Sequence, residues 1–418
     1  MKKHVPRSGQ TDPHSIDYLV GGFRISVGPT SNTPGPRTHI VNFVKALESR
    51  RFAVRTVLAS DMPFMARFST IRQSDYTAAS DAKVRLADAV RVGAAVWTGL
   101  NVFLETIRSP APFMIYERIA VLQSMTSFHA RKGRAIRVVE ANGVLSRETA
   151  HDRHVLKAER LAAFLERRVL RRAAVVVAVS EPLKRELVEF AAIPEAKVLV
   201  LPNGVSSALT VIPLARPAGS IIIGFVGSIV KWQHLDQLLL TFASILPALE
   251  EAHGIPVMLE IIGDGAEYSF LEKLIRTNQL GDSAVLLGRL SHKEVLERMS
   301  SWTLGFAGHE KSSSRAMYHS PLKVYEYAAL GLGIVCTYSD DAASLTAVGV
   351  PVHFYEDQRS LADSLEQAVA DAVGEGLEDI NQRRSLVGKT HSWESRADQL
   401  LSFTAQIQKT QVKRERAV

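Results

Sequence analysis

Cysteine is almost absent from this chain of 418 residues, which holds a single one, Cys336, in the apolar run GLGIVCTY. A single cysteine cannot form an internal disulfide, and it excludes a Cys/His zinc cluster because the histidines also lack ligand-like spacing. We predict a protein of a reducing compartment, with no metal site, in which Cys336 is a small buried hydrophobe.

Long apolar runs are also missing. The first residues, MKKHVPRSGQTDPHSIDYLVGG, lack an apolar core of the length that a signal peptide needs. The most apolar window, VGAAVWTGLNVFL at 92–104, is shorter than the ~20 residues that span a bilayer. We therefore expect a cytoplasmic protein that is not integral, with peripheral attachment to the cytoplasmic face of a membrane left open. Residues 1–20 are interpreted as a flexible polar leader.

Charge of one sign does not dominate the chain. Lys and Arg number 50 against 43 Asp and Glu, a net charge of +7, and much of the excess lies in MKKHVPR, ERRVLRR (166–172) and KTQVKRERAV. These runs are either solvated surface or contacts to an anionic membrane. No nucleic-acid-binding motif is recognised and the basic residues are dispersed, so we expect no nucleic-acid partner.

Strand-like and helix-like segments alternate along the chain. FRISVG (23–28) is predicted to be the first buried strand, PTSNTPGPRT the loop after it, and HIVNFVKALESR a helix. This order predicts an α/β protein of two Rossmann-like domains, with parallel doubly wound sheets that face a central cleft. The predicted parts are an N-terminal domain at 21–205, a linker at 206–220, a C-terminal domain at 221–390, and a last helix with a basic tail at 391–418.

Two glycine loops, GFVGSIVKW and IIGDG, follow predicted strands of the C-terminal domain. Backbone N–H groups in such loops suit an anion, although strand–glycine–helix turns are also generic to the fold. The aspartate of the second loop is expected either to accept a ligand hydroxyl or to cap the next helix. The candidate ligand-binding residues of the two loops are Gly227, Ser228, Lys231, Gly263, Asp264 and Gly265.

The stretch SPLKVYEYAALGLGIV (320–335) combines a helix start with two opposite charges. Ser320 is predicted to be the N-cap and Pro321 to occupy the first turn. Lys323 then lies in the first turn, where the helix dipole disfavours a cation unless an anion binds at the same end. Glu326 shares a face with Lys323, so the two residues form either a ligand site or an ordinary surface pair.

The ordered set of motifs resembles the retaining glycosyltransferases of family 4 (glycosyltransferase group 1), which have the GT-B fold. SPLKVYEY is similar to the nucleotide-sugar signature of that family, and the likeness covers roughly residues 22–410. The other matching runs are MIYERIAV, VVEANGVLSRE, ERRVLRRAAVVVAVSEPLKREL, VLVLPNGV, GFVGSIVKW, IIGDG and HSWESRADQLL.

The resemblance implies that the C-terminal domain binds a nucleotide diphosphate sugar and the N-terminal domain binds the acceptor, with retention of anomeric configuration and without a cofactor or metal. By the same match Glu326 holds the ribose hydroxyls. Lys323 and the amides around Leu322 meet the diphosphate and stabilise it as it leaves. Backbone atoms around Leu290 read the base, and the last helix crosses back to the N-terminal domain.

The match also implies an acceptor half of the site. Where many members of the family have a histidine near the reacting sugar, this chain departs from the pattern with EANG (140–143). Asn142 is able to hydrogen-bond a sugar hydroxyl but not to act as a general base, and Glu140 is either a general base or a brace for its loop. Gly35, in the loop after the first strand, and His39, on the next helix, are assigned to an acceptor or phosphate loop. His39 also fits a plain helix-surface histidine, and Arg118 fits a structural role equally.

Three further positions depart from the family pattern. Tyr318 replaces the first glutamate of a paired-Glu motif, and Ser228 and Gln233 stand where many members have basic residues, for which Lys231 or Arg315 is a candidate substitute. These departures keep open a catalytically degenerate GT-B partner subunit of a glycan assembly complex. A sugar-nucleotide epimerase on the same fold fits less well, because the N-terminal motifs are those of the transferases.

The favoured prediction is a hexosyltransferase that acts on a glycan or lipid-linked acceptor in cell-surface polysaccharide or glycoconjugate synthesis. Segment 62–104 mixes basic, aromatic and apolar residues, which suits contacts to an amphipathic acceptor at a membrane surface. Plain helical packing explains the same pattern.

Overall fold

The structure, a computed structural model, describes residues 11–22, 25–28, 33–61, 81–108, 111–125, 135–152, 154–310 and 320–416. The chain divides into two compact units, one of Met1–Pro202 with Arg396–Val418 and the other of Asn203–Ser395. Each unit contains a six-stranded sheet in which all neighbouring strands run parallel. No helix in these ranges is long and apolar enough to cross a bilayer.

The first sheet has the strand order β2-β1-β3-β4-β5-β6. Its strands are apolar because parallel sheets are covered by helices on both faces, and all four residues of VVVA in β5 are buried. The winding direction reverses between β1 and β3, which makes that point a place for ligands. The strands are β1 Thr11–Val20, β2 Ala53–Leu58, β3 Ala111–Arg118, β4 Ile136–Ala141, β5 Val175–Ala178 and β6 Val198–Val200.

The first unit has six helices in its described residues, and local sequence explains where some of them begin. Ser180 caps α5, because its hydroxyl accepts the N–H of Leu183, and Pro182 fits the first turn. Helix α13 begins in the second unit and enters the first at Arg396. The helices are α1 Pro34–Ser49, α2 Asp81–Arg108, α3 Leu145–Arg147, α4 Glu159–Arg172, α5 Glu181–Ala191 and α13 Trp393–Arg416.

The start of the chain differs from the sequence prediction. Residues 11–20, predicted as part of a flexible leader, form β1 between β2 and β3. The polar appearance of SIDYLV misled the prediction, because the Asp17 carboxylate is paired with the Arg55 guanidinium of β2 at 2.8 and 2.6 Å. The predicted strand at 23–28 is wrong as well, since residues 25–28 have no strand structure. Residues 1–10 lie outside the described residues.

The second sheet has the order β12-β11-β10-β7-β8-β9, the Rossmann order with its reversal between β7 and β10. Its core is formed by the apolar faces of these strands and the helices that cover them, with Phe225, Phe242 and Phe306 fully buried. The strands are β7 Ile221–Val226, β8 Val257–Ile262, β9 Ala284–Gly288, β10 Leu304–Ala307, β11 Gly333–Thr337 and β12 Val352–Tyr355.

Seven helices of the described chain cover the second sheet. Capping boxes at Ser291 and Asp357 fix the starts of α8 and α11. The helices are α6 Leu235–His253, α7 Tyr268–Thr277, α8 His292–Met299, α9 Leu322–Ala329, α10 Asp340–Thr346, α11 Gln358–Val373 and α12 Leu377–Thr390.

Residues 206–220, predicted as a linker, belong to the second unit. Leu209 packs in its core, and the Arg384 guanidinium donates to the carbonyls of Leu209 and Ile212. Along the chain, the boundary between the two units lies instead between Pro202 and Asn203. At the other end of the chain, the predicted basic tail is helical as far as Arg416.

Candidate functional site

The reversal point of the second sheet brings together the residues that the sequence singled out there. The carboxyl ends of β7 and β10 flank this point, and α9 begins beside it. A cavity of about 30 Å³ opens here and is lined by Gln233, Gly308, Lys323 and Thr337, among others. Ligands of doubly wound sheets bind outside the carboxyl ends of strands at such a point.

Helix α9 begins one residue later than predicted. Pro321 is the N-cap, without a side-chain cap hydrogen bond, and Leu322 is the first helical residue. Ser320 does not cap the helix, because its hydroxyl accepts the N–H of Asn203 at 2.9 Å and its carbonyl accepts the Asn203 Nδ2 at 2.5 Å. These bonds fix the chain just before the helix, whose first N–H groups have no partner within the helix.

Lys323 lies in the first turn of α9, as predicted, and its amine is partly buried. Its Nζ donates to Gln233 Oε1 at 2.7 Å and lies 4.0 Å from the centroid of the Phe225 ring. Burial lowers the pKa of Lys323 to about 7, and the nearby Glu326 carboxylate opposes the shift only in part. The partners of the amine, the Gln233 amide and the Phe225 ring, are neutral. The lysine charge is therefore available to pair with an anionic ligand.

Glu326 is one turn further along α9. Burial raises the pKa of its carboxyl to about 7, against the opposing charge of Lys323. The Glu326 side chain has no hydrogen-bond partner among the described residues, and its oxygens are therefore available to hydroxyl donors of a ligand.

The two glycine loops contact each other as well as the site. The Gly227 N–H donates to the Ile262 carbonyl at 3.0 Å, and an added Cβ on Gly227 would lie 3.2 Å from Lys323 Nζ. A Cβ on Gly263 would overlap the Gly227 carbonyl, and one on Gly265 would overlap the carbonyl of Ile229. The glycines of the second loop are thus required by close packing against the first.

The remaining predicted ligand-binding residues of these loops make fewer contacts within the protein. Asp264 does not cap α7, because the N-cap is Glu267 and the Asp264 carboxylate accepts the N–H of Gly265 at 2.8 Å. Ser228, Lys231 and Asp264 are exposed. Leu290 is half-buried and packs against the core of its unit.

Gln233 is a site residue that sequence reasoning treated only as a departure. Its side chain is buried and holds the Lys323 amine. His234, next to it, has a positive φ of 55° and is the N-cap of α6, and Gln233 is the buried residue of the short helical turn before it. A signal was present, since the family resemblance had already marked Gln233 as a departure at a position expected to be basic.

The first unit holds a buried polar cluster around Glu140, at the carboxyl end of β4. The carboxylate accepts Arg118 Nη1 at 2.6 Å, the Tyr116 hydroxyl at 2.8 Å and Asn142 Nδ2 at 2.9 Å. The His39 Nε2 lies 3.2 Å from its second oxygen. His39 is buried on α1, so its interpretation as a surface histidine is wrong.

Glu140 has an electrostatic environment unlike that of a general base. Burial alone would raise its pKa strongly, but His39, Arg118 and the hydrogen bonds of His39 and Asn142 outweigh burial and hold the pKa well below its usual range. A carboxylate with so low a pKa is a weak proton acceptor. The geometry favours Glu140 as the brace that orients Arg118, His39 and Asn142.

The loop after β1 differs from the prediction. Gly35 lies in the first turn of α1 rather than in the loop. The chain instead leaves β1 through Gly21 and Gly22, which the prediction had placed just before its first strand. The Gly22 residue has φ of 99°, and its N–H donates to Gln123 Oε1 at 2.6 Å. A Cβ on Gly21 would lie 2.8 Å from the Ala120 nitrogen.

Family models match both halves of the chain. Residues 35–209 match Glycosyltransferase Family 4, and residues 212–387 match Glycosyl transferases group 1. The chain belongs to this glycosyltransferase family. A comparison with curated proteins found no match.

Solved glycosyltransferase-fold structures align over nearly the whole chain, each at low sequence identity. A glycosyltransferase from Rickettsia africae has a TM-score of 0.63 at 14% identity, over 95% of this chain and 99% of its own. Sucrose-phosphate synthase from Thermosynechococcus elongatus has 0.62 at 15%, over 95% and 100%. Anabaena HepE, solved with UDP and glucose, has 0.59 at 13%, over 94% and 100%. The fold of this glycosyltransferase is GT-B.

Some predicted features of the glycosyltransferase lie outside the described residues, namely Tyr318, Arg315 and the part of the acceptor segment at 62–80. Within the described ranges no group of three or more His, Cys, Asp or Glu side chains is placed to hold a metal ion. A reaction without metal stays a prediction.

Proposed function

We propose that this glycosyltransferase moves a hexose from a nucleotide diphosphate sugar to a glycan or lipid-linked acceptor, with retention of anomeric configuration. The family assignment supports glycosyl transfer from a nucleotide sugar. The structural neighbour HepE was solved with UDP, which supports a nucleotide diphosphate as the donor's leaving group.

One observation carries the donor part of the proposal: Lys323 is partly buried at the N-terminus of α9, at the reversal point of the second sheet. A diphosphate there receives the ammonium group and the free N–H groups of the helix. The Glu326 carboxylate, one turn away, accepts two ribose hydroxyls. Together these contacts hold a nucleoside diphosphate by its phosphates and its sugar.

Bond cleavage in this proposal depends on charge stabilisation. As the bond between the anomeric carbon and the diphosphate breaks, negative charge grows on the leaving oxygen, and Lys323 with the helix N–H groups stabilises that charge. The acceptor hydroxyl attacks from the face that the diphosphate leaves, and configuration is retained. In this reading the positive groups of the chain supply what a metal ion supplies elsewhere, so no metal is required.

The Glu140 cluster belongs to the acceptor half of this proposal. Arg118, His39 and Asn142 all hydrogen-bond to Glu140, and Arg118 and Asn142 are partly exposed. Asn142 is then able to hydrogen-bond an acceptor or donor hydroxyl, and Arg118 an anionic group. We place the reaction at the cytoplasmic face of a membrane, in cell-surface polysaccharide or glycoconjugate synthesis.

The partner-subunit alternative is not favoured. Both family models match, and the substituted position Gln233 is engaged with Lys323 rather than lost from the site. A degenerate subunit would be under no constraint to keep Lys323 and Glu326 at the helix start.

Product analysis tests the function directly. The protein is incubated with UDP-, GDP- and ADP-hexoses, with magnesium and then with EDTA, and released nucleoside diphosphate is measured. We expect release from one nucleotide class in both conditions, abolished in Lys323→Ala, and a product whose anomeric configuration by NMR equals that of the donor. An inverted product, or release only with magnesium, would contradict the mechanism.

A further inference from the structure

The first unit has an apolar helix face that its sheet and site do not explain. On α2, six large hydrophobic side chains are exposed, and Trp97 and Leu104 have 52% and 51% of their surface accessible. Their spacing puts them on one side of the helix, over a length of roughly 27 Å at 1.5 Å per residue. These residues are Leu86, Val96, Trp97, Leu100, Phe103 and Leu104.

No charged residue interrupts this face. Between Leu86 and Leu104 the charged residues are Asp88 and Arg91, and both are buried on the opposite side of α2, where Arg91 Nη1 donates to Asp88 Oδ1 at 2.5 Å. Asp88 also accepts the N–H groups of Lys157 and Ala158, which precede α4, at 2.9 Å. These bonds anchor α2 beside α4 and turn the apolar side outward.

Helix α4 adds arginines to the same region. A groove of about 370 Å³ is lined by α2 through Val92, Ala95 and Val96, and by α4 through residues that include Phe164 and Arg168. Phe164 is 59% exposed, and Arg160 and Arg168 lie one turn before and one turn after it. Neither of these two arginines has a hydrogen bond or ion pair with a described residue.

We propose that this face, formed by the exposed side of α2 and the Phe164 side of α4, docks the enzyme onto an anionic lipid bilayer. Apolar side chains that include a tryptophan, bordered by arginines, match the boundary between acyl chains and anionic headgroups. Charge favours lipid over a second copy of this chain, because pairing two such faces would bring arginines of both copies together. The inference identifies the surface for the membrane location within the proposed function.

Vesicle partitioning tests the inference with the full chain. We expect binding to phosphatidylcholine vesicles that contain roughly 30% phosphatidylglycerol, and weaker binding to pure phosphatidylcholine. Trp97→Ser/Leu104→Ser is expected to lower the partition coefficient at least about tenfold. Phe270→Ser, at a side chain 46% exposed on α7 of the other unit, is the control and is expected to bind like the wild type.

The charged border is tested separately. Arg160→Gln/Arg168→Gln is expected to weaken binding to the anionic vesicles about tenfold at about 50 mM salt, and less at higher salt. Arg276→Gln/Arg359→Gln removes the same charge from exposed positions of the second unit and is expected to bind normally. Equal losses in both double variants would mean that net charge, not this face, drives binding, and would overturn the proposal.

Tryptophan quenching locates the contact. Brominated lipids are expected to quench Trp97, and Trp97→Phe is expected to retain binding and lose that quenching. The proposal is overturned if the wild type binds neither vesicle, or if light scattering shows a dimer that Trp97→Ser/Leu104→Ser dissociates. Vesicle binding needs no nucleotide, so a protein that binds vesicles but transfers no sugar would contradict the proposed function and leave this surface standing.

Discussion

We expect Lys323 to couple donor binding to protonation. Its pKa of about 7 in the free protein arises from burial, and a bound diphosphate favours the ammonium form and raises it. The contribution of Lys323 to affinity is therefore greatest below pH 7 and falls as pH rises toward its pKa in the complex, whereas the contribution of the Glu326 carboxylate requires a pH above its own pKa of about 7. At pH 8 we expect uptake of about one proton on binding, measured by calorimetry in buffers of different ionisation enthalpy. Lys323→Arg is expected to bind without uptake, and equal uptake in both proteins would contradict the role of Lys323.

Glu140 is expected to stabilise the first unit rather than to transfer a proton. Because its folded-state pKa is depressed, its contribution is present above the unfolded pKa and is lost as pH falls toward the folded value. Glu140→Gln leaves the partly buried Arg118 and the buried His39 without their carboxylate and is expected to lower the free energy of unfolding by about 3 kcal/mol in urea titrations. Asn142→Ala, which removes one hydrogen bond, is expected to cost about 1 kcal/mol.

A different result for Glu140→Gln would support Glu140 as a general base. Wild-type stability of Glu140→Gln, together with loss of sugar transfer and a shifted pH profile, would show that the carboxylate acts on the acceptor.

Side-chain neighbours could be predicted from the sequence where the two residues are close together in the chain. Lys323 and Glu326 are three residues apart, so helical spacing alone placed them on one side of α9. His39 and Glu140 are 101 positions apart, and only the fold of the sheet brings them together. For the same reason the contact of Lys323 with Gln233, 90 positions away, was not predicted.

At the scale of elements, the two glycine loops of the second unit hold each other in place through mutual packing. Gly263→Ala forces a Cβ into the Gly227 carbonyl at a backbone φ of 149° and is expected to destabilise the second unit by at least about 2 kcal/mol. Gly281→Ala, where a Cβ meets nothing within 4 Å, is the matched control. Urea unfolding measures both variants, and a fully stable Gly263→Ala would contradict the packing role.

Most elements of the chain could be predicted, because buried parallel strands such as IIIGFV and VVVA are continuous apolar runs between helices. The first strand could not. A charged Asp17 in β1 resembles a polar leader unless its partner Arg55, on a neighbouring strand, is known. The prediction that Ser320 caps α9 was wrong for a similar reason, because the Ser320 hydroxyl accepts the N–H of Asn203, which is distant in sequence.

At the scale of the whole molecule, the last helix, α13, is expected to stabilise the first unit. Leu400 of α13 is fully buried, and the Arg50 guanidinium of the segment after α1 holds Asp398 at 2.8 and 2.6 Å. Leu400→Ala is expected to cost about 3 kcal/mol. In scanning calorimetry a nucleoside diphosphate should raise the transition of the second unit. Leu400→Ala should lower the temperature of the transition of the first unit. A lowered temperature only for the nucleotide-sensitive transition would contradict the assignment of α13 to the first unit.

The central claim is that Lys323 and Glu326 hold a nucleoside diphosphate at the start of α9. Calorimetric titration with UDP, GDP and ADP, with EDTA and then with magnesium, tests it most directly in the wild type, Lys323→Met and Glu326→Gln. We predict that one nucleotide binds the wild type without metal, and that each variant loses about 1.5–3 kcal/mol of affinity while it stays folded. Binding that both variants preserve, or no binding of any nucleotide by the wild type, would contradict the claim.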